Sequence, residues 1–374
     1  MNRTISVTGD DDKAPEVGMA LCLSGGGYRA MLFHLGAIWR LHETGILRQL
    51  DRISSVSGGS ITAAMVGLKW AAIQKDNGRK NGFFIEEVVK PLRSLAAQTI
   101  DIKSVLLGFF MPGGVGAQVV RAYEKALFQS ATLQDLPDKP RFVINSTNIQ
   151  SGALWRFEKP YMRDYRIGEV RNPDVHLAVA VAASSAFPPF LSPLTLKVCP
   201  QAFTQNSGND LQCEPYTSRV VLSDGGVYDN LGLETAWKRY QTILVSDGGG
   251  KITAEPKPWR NWMFHSYRVL NIIDNQVRSL RKRQLIDSFA SGLRRGAYWG
   301  IRTNIADYKL LSSLPCPFAN SLALASVPTR LKSLNECLQE KLINWGYAVA
   351  DAGLRTHLGD VSLPPQFPYP QSGI

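Results

Sequence analysis

Three short stretches of this 374-residue chain gather residue types that could do chemistry. The first, Cys22-Leu23-Ser24-Gly25-Gly26-Gly27-Tyr28-Arg29, sets three glycines between an apolar run and a helical pattern. The second, Ser55-Val56-Ser57-Gly58-Gly59-Ser60, has a serine followed by glycines, and in the third setting Asp224 and Asp247 each end an apolar run just before glycines. A glycine loop of the first kind can cradle a phosphate, hold a dinucleotide or stabilise an oxyanion. The G-x-x-x-x-G-K-[ST] phosphate loop needs a lysine for the terminal phosphates and a hydroxyl for magnesium, and neither follows here. Gly25, Gly27 and Ala30 fit the dinucleotide pattern G-x-G-x-x-G/A. That pattern also wants a carboxylate at the end of the second strand to hold the ribose, and the chain has Ser55-Val56-Ser57 there.

The second stretch favours the oxyanion. Ser57 with Gly58 and Gly59 is similar to the G-x-S-x-G nucleophile elbow, with Ser55 in place of the first glycine. A sharp strand-to-helix turn holds such a serine in a strained, exposed conformation and needs small neighbours. The backbone N–H groups at the helix start then face a developing negative charge. Taken alone, the pattern is loose and is more commonly that of a serine capping a helix. The pair of loops is more informative: free N–H groups at Gly26 and Gly27 beside Ser57 bring a nucleophile and an oxyanion hole together.

The elements needed to position them are legible. Val17 to Leu23 has the length of a buried strand, and Tyr28 to Thr44 carries Met31, Leu32, Leu35, Ile38, Trp39 and Leu41 at helical spacing, with Gly45 placed to end the helix. Asp51 to Val56 is a second strand and Ile61 to Ile73 a second helix. This repeated strand, tight loop and helix predicts parallel strands with both loops at one carboxyl edge. Further strands are predicted at 141–147 and 153–158 and before Asp224 and Asp247, with a helix over 233–240. Residues 197–218 are predicted as loop, and helices over 259–295 and 329–358. The expected class is α/β, a three-layer α/β/α domain over 17–360 with a mainly parallel central sheet and a helical part from about 255. Residues 1–16 are expected to be a flexible tail, and the proline-rich 361–374 to trail free.

A serine nucleophile needs a base. His34, His42 and His176 fall in predicted helices; His265 and His357 follow Ser57 in the order a Ser-Asp-His triad requires, but neither lies in a loop directly after a strand. A carboxylate, with a reference pKa of about 4, is ionised at neutral pH and can accept a serine proton. Asp224 and Asp247 are both candidates.

Taken as an ordered set, the Ser24–Ala30 loop, the Ser55–Ser60 elbow and Asp224-Gly225-Gly226 resemble the patatin-like phospholipase family, whose catalytic core the cytosolic phospholipases A share. "AASSAFPPFLSPL" and "DGGVYDNLGLETA" resemble further segments of bacterial members, so the resemblance spans about residues 17–250. It implies a Ser–Asp dyad without histidine: Ser57 as nucleophile, Asp224 as base, and Gly25, Gly26 and Gly27 with Gly58 as oxyanion hole. Arg29 matches an arginine that contacts the substrate phosphate in the cytosolic enzymes; a solvated arginine at a helix start is the plain alternative. Asp247 lacks the following "VYDNLG" context. No metal or organic cofactor is implied. The competing readings are an α/β-hydrolase-type esterase using His265 or His357, and a peripheral membrane-binding protein with a spent site.

Composition bears on partners. With 42 basic and 31 acidic residues the net charge is +11, which favours an anionic membrane surface or nucleic acid. No zinc spacing, helix-turn-helix or RNA-stacking signature supports nucleic acid. Five scattered cysteines without C-x-x-C spacing argue for free thiols in a reducing compartment. Residues 1–16 lack the apolar core of a secretory signal, and the longest uncharged run, 175–196, is broken by Pro188, Pro189 and Pro193. A soluble, cytoplasmic protein acting at the membrane surface is expected, its oligomeric state open. Two segments are candidates for membrane contact. One is the apolar cluster Leu106, Leu107, Phe109, Phe110 and Met111. The other is a helical face of Arg268, Arg278 and Lys282 opposite Val269, Ile273, Val277 and Leu280. Its basic side could hold anionic headgroups, although ordinary amphipathic packing explains the pattern equally.

Overall fold

The computed structural model describes residues 15–76, 82–100, 114–250, 252–258, 260–359 and 364–374. The apolar cluster at 106–111 lies outside the described residues.

Among the described residues ten strands form one sheet: β1 (Glu16–Leu23), β2 (Arg52–Val56), β3 (Arg141–Asn148), β4 (Ala153–Phe157), β5 (Tyr161–Asp164), β6 (Gly168–Arg171), β7 (Leu194–Lys197), β8 (Arg219–Asp224), β9 (Tyr240–Asp247) and β10 (Arg295–Gly300). The main path runs β10-β9-β1-β2-β3-β4-β5-β6, with β8 on β3 and β7 on β8. Strands β10, β9, β1, β2 and β3 are mutually parallel, and β4 to β6 continue the sheet as an antiparallel meander. The sequence-predicted strands are β1, β2, β3 and β9 of the parallel half and the antiparallel β4 and β8. Strands β5, β6, β7 and β10 have no counterpart in the sequence-based expectation: β7 ends where the expected loop at 197–218 starts, and β10 starts where the expected helix over 259–295 ends.

The helices that matter to the site are α1 (Gly27–Glu43), α2 (Gly58–Leu68), α3 (Leu177–Ser184), α4 (Trp262–Ala290) and α5 (Glu336–His357). Residues of β1 alternate between two cores: Leu21 and Leu23 join the main one with α1, α2 and α5, while Ala20 and Cys22 join a smaller one with Leu231 and the α4 residue Leu285. A strand that feeds apolar side chains to both faces demands helices on both. The expected three-layer α/β/α architecture results.

Helix α1 is buried on every side from Gly27 to His42. It crosses α5 backbone to backbone, because a Cβ on Gly36 would stand 1.9 Å from the Ile343 carbonyl oxygen and one on Gly346 1.8 Å from that of Phe33. Beside this crossing the buried Arg40 guanidinium meets Asp351 at 2.7 Å. Helix α5 begins later than predicted, at Glu336, where the Asn335 side chain accepts the Leu338 N–H at 2.9 Å. The preceding segment is instead spent on α1, with Arg330 O accepting the Tyr28 N–H at 3.1 Å. Residues 364–374 do not trail free. Asn344 of α5 donates to the carbonyls of Tyr369 and Gly373, both at 2.7 Å, and Arg93 covers the Tyr369 ring at 4.7 Å, so the segment is stitched onto the helical layer. Proline richness signalled an irregular backbone there, not a free one.

Gly346→Ala is expected to lower stability in urea unfolding by about 2 kcal/mol or more, because a methyl cannot enter without parting two buried helices. Gly82→Ala, whose added methyl would meet nothing within 4 Å, should be neutral. Equal stability of the two variants would contradict the close crossing.

Candidate active site

Strand β3 has two edges. Strand β4 occupies one along Ile144 to Asn148. The other is shared: β2 pairs in parallel with Arg141 to Asn145, and β8 pairs antiparallel with Ser146 to Asn148. Strands β2 and β8 therefore run toward each other along one edge and meet end to end. Since Val56 is level with Asn145 and Asp224 with Ser146, the residue after β2, Ser57, arrives opposite Asp224. The Ser57 hydroxyl faces the Asp224 carboxyl closely enough to favour its ionised form.

Ser57 sits in the elbow expected of it, with φ 53° and ψ −121°, a conformation that costs a non-glycine residue on the order of 1–3 kcal/mol. Its surroundings enforce it. The Ser57 N–H donates to Ser184 Oγ at 2.9 Å, and Ser184 Oγ pairs with Ser60 Oγ, also at 2.9 Å. Ser55, the departure from the family glycine, is accommodated beneath the turn: its hydroxyl donates to Val143 O and accepts from Ser60. Gly58 has no room for a side chain, since a Cβ would lie 2.2 Å from the Gly27 carbonyl oxygen. The two loops are in backbone contact.

The glycine loop divides its labour. The Gly25 N–H is committed to Asn230, to its backbone O at 3.0 Å and its Oδ1 at 3.1 Å. Gly25 is thereby a packing residue, not a donor as expected. The N–H groups of Gly26, Gly27 and Gly58 have no acceptor among the described residues. Gly27 opens α1, whose first turn has no acidic residue and no side-chain cap, so the positive end of the helix dipole is left for a ligand. His34 is structural: it bridges Ser246 Oγ (2.8 Å) and Ser24 O (2.9 Å), and burial lowers its pKa to about 4, which keeps it neutral.

Asp224 is 6 % exposed. Burial pushes its pKa up to about 7, against the Gly226 N–H at 2.7 Å and the Ser57 hydroxyl, which both favour the carboxylate; Asp274 of α4 adds a smaller upward push. Asp247 is different in kind. Burial raises it too, but Arg278 at 3.7 Å, the Tyr298 hydroxyl at 2.7 Å and the Gly249 N–H at 2.8 Å together hold it below the usual carboxylate range. It is fully partnered and not hydrogen-bonded to Ser57. His265 lies on the exposed side of α4 and His357 at the exposed end of α5, against Tyr308. Among the described residues neither is hydrogen-bonded to Ser57.

Two expectations are corrected. Arg29 does not project toward a substrate: it is 2 % exposed, and its guanidinium donates to Gly248 O (3.0 Å), Val327 O and Thr329 Oγ1 (2.9 Å). A buried cation with three protein acceptors ties segment 327–329 to the glycine loop and has no fork left for a phosphate. The cations that line the 210 Å³ cavity beside it with exposed side chains are Arg330 and Lys332. The basic side of 268–283 does not face outward as a whole either: Arg268 is half-exposed and donates to Thr253 O at 2.7 Å. Arg278 is buried on Asp247 and the Gly250 carbonyl, and Lys282 lies over the Tyr298 ring at 4.3 Å.

Sequence reading missed Ser184 and Asn230, although both stand in the segments that carried the resemblance, "AASSAF" and "VYDNLG". It also missed Asp274, which accepts from Asn230 Nδ2 at 3.2 Å and carries no local signal. All five cysteines are free thiols. Among the described residues no group of three His, Cys, Asp or Glu side chains is placed to hold a metal ion, and no helix is long and apolar enough to cross a membrane.

Residues 21–237, more than half of the chain, match the model of the family described as patatin-like phospholipase. The chain belongs to that family, which groups carboxylic ester hydrolases acting on lipids. Its fold is similar to that of human GIVD cytosolic phospholipase A2, with a TM-score of 0.52 at 12% identity, covering 92% of this chain and 60% of that one. The same human protein in complex with methyl gamma-linolenyl fluorophosphonate gives 0.53 at 15%, covering 92% and 58%. VipD from Legionella pneumophila is a looser likeness, 0.39 at 14%, covering 91% and 67%. The chain thus spans about three fifths of the human enzyme's structure. No curated protein sequence matches it.

Asp224→Asn is expected to stabilise the fold. The native carboxyl holds its proton to about pH 7 whereas the unfolded one releases it near 3.8, so wild-type stability falls as pH rises between those values. The advantage of Asn should be absent near pH 4 and grow to at most about 4 kcal/mol by pH 8 in urea titrations. A gain independent of pH, or a loss at pH 8, would contradict the buried, proton-retaining carboxyl.

Proposed function

We propose that the chain is a serine acylhydrolase of phospholipase A or lysophospholipase type, cleaving fatty acyl esters of membrane lipids through a Ser57–Asp224 dyad. The observation that carries this reading is the end-to-end meeting of β2 and β8, which sets Ser57 against the Asp224 carboxyl beside N–H groups of Gly26, Gly27 and Gly58 that have no acceptor among the described residues.

The chemistry follows from those groups. Ser57 Oγ attacks the ester carbonyl while its proton passes to Asp224. The carbonyl oxygen, now negative, is held by the free N–H groups and the α1 N-terminus, which strengthens as charge develops. When the tetrahedral species collapses, Asp224 returns the proton to the departing alcohol oxygen and an acyl-Ser57 ester remains. Water then attacks that ester with Asp224 again accepting a proton, and the fatty acid leaves as Ser57 Oγ is reprotonated. A carboxylate with ordinary acidity would be a feeble base; burial raises Asp224 toward the working pH, where a general base is most effective. The lipid substrate rests on the family, and the net charge of +11 suits an anionic membrane surface.

Hydrolysis of a soluble short-chain ester should fall at least about a thousandfold in Ser57→Ala and in Asp224→Asn, with circular dichroism unchanged. In the wild type kcat/KM should rise with pH and level off above about 7, since only ionised Asp224 can take the proton. His265→Ala and His357→Ala should retain activity. A folded, active Asp224→Asn protein, or loss of activity in either histidine variant, would overturn the dyad.

A further inference from the structure

Helix α4 is turned inside out relative to an ordinary surface helix. Apart from Leu285 in the smaller core, its inward side is ionic: Asp274 holds Asn230, Arg278 meets Asp247, and Arg281 meets Glu234 at 2.9 Å and Asp229 at 3.6 Å. Its outward side is apolar. Trp262, Val269, Ile273 and Leu280 follow at intervals of seven, four and seven residues, one straight file along a helix, and are 75, 40, 53 and 57% exposed. Leu270 and Ile272 flank the file and are exposed too. Half of the exposed large hydrophobic side chains among the described residues lie on this one helix. In water the two sides of such a helix are arranged the other way, so the outward file suits an apolar medium.

Resting on the proposed lipid hydrolysis, we infer that the outward file of α4 is the membrane-docking surface, seated in the interface of an anionic bilayer. Charge selects that occupant. Lys257 and Arg260, just before the helix, and Arg283 on it are exposed, Arg268 on it is half-exposed, and Glu255 and Asp287 are exposed acids of the same stretch. A second copy of a chain of net charge +11 is repelled, whereas an anionic lipid surface attracts it. The face is also continuous with the site. Ile273 is followed by Asp274, which grips the Asn230 that holds Gly25. Tyr267 on the same helix packs edge-on against the exposed Phe190, 5.9 Å between ring centres, in the segment that follows Ser184.

The test separates docking from chemistry. Binding to vesicles of phosphatidylglycerol and phosphatidylcholine is measured by co-sedimentation with Ser57→Ala protein, so that no lipid is consumed. Adding Leu270→Glu and Ile273→Glu to it should weaken partition by about tenfold or more. The Trp262 emission, taken as the difference from Trp262→Phe, should shift to the blue on vesicles. In the otherwise wild-type chain the same two glutamates should leave soluble-ester turnover and Tm unchanged. Unaltered vesicle partition overturns the proposal. So does a lowered Tm, which would mean that the protein itself buries the face. So does a dimer in sedimentation velocity that the glutamates dissociate. Absent turnover in the wild type, with docking as expected, would refute the hydrolase reading alone.

Discussion

One edge of β3 is too long for β2 and is completed by β8 coming from the opposite direction. Backbone hydrogen bonding demands that the leftover N–H and C=O groups of Ser146 to Asn148 find partners, and the antiparallel β8 supplies them. Two strand ends are thereby brought face to face inside the sheet. A serine ending one and an aspartate ending the other must meet, and neither can withdraw without unzipping a ladder. The remaining features of the site attach to this junction. Ser184 accepts the elbow N–H from one side, Asn230 clamps the glycine loop from the other, and α1 aims its N-terminus between them.

The arrangement is held at a cost in stability. A serine at positive φ, a nearly buried carboxyl retaining its proton and uncapped helix N–H groups are each unfavourable in isolation. The cost is offset in the layer behind, where α1 and α5 cross at glycines, Arg40 and Asp351 pair out of water, and the Arg29 guanidinium spends its donors on carbonyls and a hydroxyl. Arg29 and Arg40 thus serve as internal ties, and Arg330 and Lys332 are the exposed cations of the cavity beside the glycine loop.

Local signals were legible where backbone geometry restricts residue type. Only small residues fit between Gly27 and Gly58, and only a sharp turn uses Ser57 as this chain does, so both loops and their strands could be read directly. The choice of Asp224 over Asp247 rested on resemblance, and the physical reason lies in pairing register, which a single sequence does not display. Helix α4 was misread because amphipathic periodicity gives the two sides of a helix but not which one faces the protein; partners far away in sequence, Asp229 and Asp247, decide that. Arg29 failed for the same reason, since its acceptors at 248 and 327–329 lie more than two hundred residues away. The C-terminal prolines marked irregular backbone correctly, while the Asn344 side chain that anchors them was one polar residue in a helix among many.

The central claim is that Ser57 is made nucleophilic by Asp224 at the β2–β8 junction. Reaction with a fluorophosphonate followed by peptide mass spectrometry tests it most directly, because the adduct marks the activated serine without any assumption about the lipid. A single adduct on Ser57 is expected, forming more slowly as pH falls below about 7 and lost in Asp224→Asn. Modification of another serine, or labelling of Asp224→Asn at the wild-type rate, would contradict the account.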